Sequence, residues 1–274
     1  MSFEVSCSAS AADRGDFRGE MQDFTLDTIS SDGTHFFGIF DGHGDYGDFI
    51  AHESERFISR AVKHVQIYNP SSLDSARFVR SKLRDLDKNL SRDGLANASG
   101  STATIACIKS GFISVVYLGD SEAIYYPDSS EAIPLIEPHT TDNKTEVARV
   151  ASLGYQTRDS DYFNNVIMVS RAIGNHENDF VIAEAEISSY TIQEAGTLVV
   201  ASDGVWGKAD NDNHADVERL VRQLQSDDTE EIFELASNLT YIMSGRTHDN
   251  ASAVVARIKA SKTHAPVLKR FLRK

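Results

Sequence analysis

Phe36-Phe37-Gly38-Ile39-Phe40-Asp41-Gly42-His43-Gly44 is an apolar run that stops abruptly at an acid, a glycine and a histidine. The run reads as a buried strand, and its end carries residues with chemistry. Asp41 offers oxygen ligands to a hard cation, Gly42 lets backbone approach an ion closely, and His43 has an unperturbed pKa suited to proton transfer. An Asp-Gly pair after an apolar run is also an ordinary turn, so this segment needs company before it means more. A second apolar run, Thr197 to Ala201, ends in Ser202-Asp203-Gly204, and Asp249-Asn250 stands just before the alternating stretch Ala251 to Ile258. If these strands are neighbours, Asp41, Asp203 and Asp249 meet at one sheet edge. Bare carboxylates repel one another there, and a divalent cation or a pair of cations relieves the repulsion.

The rest of the chain supplies a body for such an edge. Strand-like runs recur near 36–40, 102–108, 112–118, 122–126, 166–169, 180–186, 197–201 and 251–258. Helical spacing of apolar residues covers Phe49 to Val65 and Ser72 to Leu90. Asn143-Lys144-Thr145-Glu146 has the form of a capping box and opens a short helix that Gly154 can close. Two further helices follow Asp203, one carrying Val217, Leu220, Val221 and Leu224, the other Ile232, Leu235, Leu239 and Ile242. Strands in two groups with helices in pairs predict stacked sheets covered by helices. No internal repeat, long linker or low-complexity segment interrupts them.

Composition narrows the classes. The 274 residues are 41% hydrophobic, enough for one sizeable core. No run of 18 apolar residues exists and Met1-Ser2-Phe3-Glu4 lacks a leader pattern, so the expectation is a cytoplasmic or nuclear protein without stable membrane insertion. Cys7 and Cys107 are far apart, and a disulfide framework is not expected. With 27 basic and 41 acidic residues the net charge is −14, which argues against nucleic acid as a partner and suits a protein that gathers divalent cations. From Lys259 onward there are six basic residues and no acid. The expected division is therefore a domain over 1–258 and a basic tail over 259–274, the tail reading as solvated more readily than as a docking or membrane-surface peptide.

Seven short motifs resemble, in order, those of the metal-dependent (type 2C, PPM family) Ser/Thr protein phosphatases. Arg18-Gly19-Glu20-Met21-Gln22-Asp23 resembles Arg-x-x-Met-Glu-Asp, and Asp41-Gly42-His43-Gly44 and Gly100-Ser101-Thr102-Ala103 match directly. Gly119-Asp120-Ser121, Ser170-Arg171-Ala172-Ile173-Gly174, Asp203-Gly204-Val205-Trp206 and Asp249-Asn250 complete the set. The resemblance implies an α+β fold, a four-layer αββα sandwich of two central antiparallel β-sheets flanked by helix pairs. It implies hydrolysis of phosphoserine and phosphothreonine in phosphoprotein substrates by metal-activated water, with two Mn²⁺ or Mg²⁺ ions, in a monomer. Carried over residue by residue, Asp41 bridges the ions, Asp203 and Asp249 bind one, and the Gly42 carbonyl and Gln22 face the other. His43 is then the acid for the leaving oxygen, and Arg18 holds the phosphate with its planar fork of donors.

Departures from the pattern bear on activity. Gln22 replaces a glutamate, so the second ion loses a charged ligand at a cost of roughly 1.5–3 kcal/mol. If the segment is extended, Glu20 shares a face with Gln22 and partly compensates. Gly207 stands where an acid would join Asp120 and Asp203 around a third ion, which leaves that ion without part of its ligand set. Asn175 replaces an aspartate, and Pro138-His139 departs from Asp-His-Lys-Pro; both read as peripheral to the two-metal core. The short stretch from Gly174 to Phe180 leaves room only for a small substrate-facing flap. Gln22 and Gly207 together support an alternative, a pseudophosphatase acting as a binding or regulatory module. Asp210 to Ala215 imitates a calcium loop but has Ala215 at the glycine position, and the scattered histidines give no zinc pair.

Overall fold

The computed structural model describes residues 3–16, 19–63, 71–92, 94–157, 161–207, 212–224 and 228–261. Two antiparallel sheets lie face to face. The first joins β1 (Phe3–Asp13), β12 (Ala251–Ala260), β11 (Gly196–Ala201), β7 (Glu122–Pro127) and β8 (Ile133–Pro134) in that order. The second runs β10 (Glu186–Thr191), β6 (Phe112–Leu118), β5 (Ala103–Lys109), β3 (His35–His43), β4 (Gly100–Ser101) and β9 (Ile173–Gly174), with β2 (Asp23–Ile29) on the other edge of β3.

Strand periodicity sorts the side chains into layers. Along β3, Phe36 and Phe40 face the helices α1 (Gly47–Lys63) and α2 (Ser72–Leu90), beside Ile50, Val79 and Leu83. Phe37 and Ile39 point the other way, into a core between the sheets that contains Ile113, Leu198, Val200 and Val254. On the far side, Val199, Val255 and Trp206 pack against α5 (His214–Val221) and α6 (Thr229–Thr247), with the single turn α4 (Asp203–Trp206) at the end of β11. The result is the four-layer αββα order implied by the motif resemblance. Asp41 continues the Phe37–Ile39 face of β3, so the strand alternation itself aims it toward the opposing sheet.

Several boundaries differ from the sequence reading. Residues 166–169 form no strand beyond an isolated bridge between Phe163 and Ile167, and the strand expected over 180–186 is displaced to β10. Phe180 and Val181 instead join Val150, Phe163, Val169 and Ala172 in a small separate core on α3 (Lys144–Ser152). β1 and β2 were not predicted. β12 runs two residues beyond Ile258, pairing Lys259 with Glu4 and Ala260 with Phe3. Residues 262–274 of the basic tail lie outside the described residues. At α3, Asn143 accepts from the backbone N–H of Thr145 and Glu146 as a cap should, but the Glu146 side chain does not return the bond. It turns inward to Ser170, Arg149 and Arg171. No helix among the described residues is long and apolar enough to cross a membrane.

Candidate metal centre

The acids converge where the two sheets meet at one end. Asp41 comes from β3 and Asp23 lies opposite it across the β2–β3 ladder. Asp203 follows β11, Asp249 precedes β12, and Asp120 sits in the β6–β7 turn. Carboxylate oxygens of Asp41, Asp120 and Asp203 lie within 4.8 Å of one another. Asp41, Asp120, Asp203 and Asp249 open with Gln22, Gly42 and His43 onto a cavity of about 350 Å³.

Backbone contacts fix this edge tightly. The Asp41 carbonyl accepts from the Thr102 N–H at 2.8 Å, and the Asp41 N–H donates to Thr102 Oγ1 at 3.2 Å. Thr102 is the break between β4 and β5, and its hydroxyl is also tied to Ser121 Oγ at 2.9 Å, beside Asp120. Gly42 donates to the Gln22 carbonyl at 3.1 Å, and a side chain at 42 would run into the Gly47 carbonyl where α1 begins. The glycine is thus required by the close approach of α1 to the strand end. Across the sheets, Asn250 Oδ1 accepts from the Gln22 N–H at 2.9 Å, so the segments carrying Gln22 and Asp249 are held together.

The electrostatics are those of a cluster of buried, uncompensated carboxylates. Burial raises the Asp41 carboxyl well above the usual carboxylate range, and Asp23, Asp203, Asp120 and Asp249 push it further. Asp23 is only 3% exposed and is pushed up to about 7, chiefly by burial. A hydrogen bond from Ser202 Oγ at 2.7 Å opposes that rise, while Asp203 and Asp249 add to it. The donor set is all oxygen, which fits a hard divalent ion such as Mg²⁺ or Mn²⁺. Among the described residues a second group, His139, Glu146 and Glu186, also comes within ligand range. There the Glu146 oxygens are taken by Arg171 at 2.6 Å, Arg149 at 2.9 Å and Ser170 at 2.5 Å, so the cluster is an ion-paired brace.

The residues singled out by sequence fare differently. Asp41, Gly42, His43, Asp120, Asp203, Asp249 and Gln22 all line the one cavity. Arg18 lies outside the described residues. Glu20 is exposed in a bend before β2 begins at Asp23, so the condition for its alternation with Gln22 is not met. Gln22 directs Nε2 to the Gly44 carbonyl at 3.0 Å. Gly207 has φ 77° and ψ −177°, a conformation accessible essentially to glycine, so the missing acid is a change of backbone as well as of side chain.

Three residues matter more than their motifs suggested. Asp23 was legible as part of the first motif but not as a buried member of the cluster. Asn175, read as peripheral, places Oδ1 2.7 Å from His43 Nε2. His139, also read as peripheral, donates its backbone N–H to the Gly119 carbonyl at 2.9 Å and accepts the Gly119 N–H on Nδ1 at 3.2 Å, immobilising the residue before Asp120. The short stretch after Gly174 contributes Asn175, Glu177 and Asn178 to the cavity wall, and Tyr162, Val166, Ile167, Met168 and Val169, ahead of Ser170-Arg171, line it as well.

Sequence comparison agrees with this architecture. Residues 8–250 match the family described as Protein phosphatase 2C, and the chain belongs to that family. It is 31% identical over 265 residues to Probable protein phosphatase 2C 76 of Arabidopsis thaliana, covering 91% of this chain and 59% of that protein. It is 30% identical over 259 residues to Probable protein phosphatase 2C member 13, mitochondrial, of Oryza sativa subsp. japonica, covering 90% and 68%. The chain therefore spans well under the full length of the curated relatives it matches. Among solved structures, the Ser/Thr phosphatase Stp1 from Staphylococcus aureus superposes with a TM-score of 0.72 at 14% identity, covering 94% of this chain and 96% of that one. The catalytic domain of the Ser/Thr protein phosphatase PstP, in complex with 2 manganese ions, gives 0.66 at 17% identity, covering 94% and 99%. Both share the fold.

Proposed function

We propose that this chain is a divalent metal-dependent phosphatase acting on phosphoserine and phosphothreonine in proteins. The observation that carries the reading is the meeting of Asp41, Asp120 and Asp203 within 4.8 Å in a cavity that also holds His43. Asp41 would be shared between two ions, Asp203 and Asp249 would hold one, and the Gly42 carbonyl with Gln22 would face the other. Divalent ions bound there would offset phosphoryl charge and lower the pKa of the attacking water. PstP, which shares the fold, was solved with manganese, and this supports Mn²⁺ as the first ion to test.

The chain's own groups supply the remainder. The cavity walls orient the phosphomonoester, and the Arg18 motif assigns that residue to the phosphate oxygens. As the water oxygen bonds to phosphorus, the ester P–O bond breaks and the water proton passes to solvent. His43 gives a proton to the departing serine or threonine oxygen and regains one from solvent, leaving alcohol and inorganic phosphate.

A second reading, the pseudophosphatase, is favoured by Gln22 and by the glycine-only backbone at Gly207. Hydrolysis of a phosphothreonine peptide across a Mn²⁺ and Mg²⁺ titration separates the two. The phosphatase reading predicts metal-dependent turnover that is eliminated in Asp203→Asn and Asp249→Asn. Absence of turnover at millimolar metal, or equal turnover in these variants, contradicts it.

A further inference from the structure

Asn175 is held as though its position matters. It is 2% exposed and sits at φ 56°, a left-handed conformation that asparagine tolerates better than most residues. Its N–H donates to the Ser99 carbonyl at 3.0 Å and its carbonyl accepts from Asn178 at 2.9 Å. The residues on either side are pinned to one acceptor: the Gly174 N–H and His176 Nε2 both reach Asp87 Oδ1 on α2 at 2.9 Å. Opposite, Gly100 leaves the space that the pair needs. A side chain there would collide with Asn175 Oδ1 and come within 2.8 Å of His43 Nε2.

An amide oxygen only accepts, so the 2.7 Å contact is a hydrogen bond donated by His43 Nε2–H. A proton donor loses efficiency when its ring drifts from the line to the leaving oxygen, so a contact that fixes the ring plane bears on catalysis. We propose that Asn175 is a positioning residue, whose amide oxygen accepts from Nε2–H of the His43 imidazolium and fixes its ring plane, leaving the Nδ1 proton as the one given to the departing alkoxide. The assignment rests on the phosphatase reading and adds to it a residue that the motif roles do not include. Asn175 acts only through His43.

Leaving-group dependence tests it. A threonine alkoxide needs a proton to depart, whereas p-nitrophenolate departs without one, so a defect confined to proton donation falls on the first. kcat and KM are measured with a phosphothreonine peptide and with p-nitrophenyl phosphate, at saturating Mn²⁺, for the wild type, Asn175→Gly, Asn175→Asp, His43→Ala and His43→Ala/Asn175→Gly. Glycine is chosen because it accepts the positive φ without strain. In Asn175→Gly the peptide kcat falls about tenfold or more relative to the aryl phosphate kcat, with peptide KM changed less than about twofold, a fraction of the 10²–10⁴ that acid–base catalysis contributes. Asn175→Asp, which keeps an acceptor oxygen, restores most of that ratio. Added to His43→Ala, Asn175→Gly lowers the ratio no further. Equal losses on both substrates, or a full Asn175→Gly effect in the absence of His43, overturn the positioning role while leaving the phosphatase reading standing. A wild type that hydrolyses neither substrate overturns both.

Discussion

Gln22 lines the acidic cavity together with Asp41, Asp203 and Asp249. Its amide donates to the Gly44 carbonyl at 3.0 Å, a bond that a carboxylate cannot make. Gln22→Glu therefore trades a hydrogen bond for a lone-pair repulsion in the metal-free protein and adds a charged ligand in the metal-bound one. The expected outcome is a lower melting temperature without metal and a larger Mn²⁺-induced rise in it, with about ten- to a hundredfold tighter binding of the second ion. Calorimetric titration and thermal scans in chelator and in Mn²⁺ check this. An unchanged metal response would place the weak ligand elsewhere. The identity of residue 22 could be read from the sequence, but its partner could not, because Gly44 and Gln22 are brought together only when β2 pairs with β3.

At the scale of elements, the segment linking β8 to β10 is braced by buried charge. His139 is fully buried, stacks on Tyr117 with ring centroids 5.0 Å apart and accepts the Gly119 N–H on Nδ1. Burial and the nearby Arg171 push its pKa down from 6.5 to about 4. Its contribution is complete above pH 6.5. Between 6.5 and 4 the unfolded chain binds a proton that the folded chain refuses, so stability falls by on the order of 3 kcal/mol. Burial raises the pKa of Glu146, but hydrogen bonds from Arg171, Ser170 and Arg149 outweigh it and hold the pKa at about 2, placing a second loss below pH 4.5. Asp23, raised to about 7, acts in the opposite direction when metal is absent. The informative comparison is therefore urea unfolding of wild type against His139→Asn. The gap between them should shrink as pH falls from 7 to 4.5, and a constant gap would contradict a neutral buried His139.

The same elements show what a sequence conceals. β3, β5, β6, β11 and β12 were legible because they are apolar on both faces, one toward the helices and one toward the other sheet. β1 was not, because its core Ser6-Cys7-Ser8-Ala9-Ser10-Ala11 is small and polar and the strand is held by its ladder to β12. The apolar residues at 166–169 and 180–181 misled in the opposite way. Ile167, Val169, Phe180 and Val181 pack against α3 as an irregular cluster while Val166 stays exposed, and periodicity cannot distinguish that from a short strand.

For the whole molecule, the site exists because two sheets meet. Phe37 and Ile39 from one sheet pack on Leu198, Val200 and Val254 from the other, and Asp41 on one side faces Asp203 and Asp249 on the other. Phe37→Ala should cost about 3–5 kcal/mol by urea unfolding and weaken Mn²⁺ binding in parallel, since the acids are positioned by that core. A destabilised variant with unaltered metal affinity would show that the edge is rigid without the core. Sequence motifs named most of the cavity's residues, whereas the support given by Asn175, His139 and Asp23 needed the third dimension.

On the proposed function, occupancy of the acidic edge by divalent cations enables phosphoester hydrolysis. Mn²⁺ binding by calorimetry and phosphothreonine peptide turnover, followed over the same metal concentrations on the same protein, test it together. Turnover that rises in step with occupancy of the weaker ion is the predicted result. Saturable binding without turnover, or turnover that persists in chelator, would contradict it.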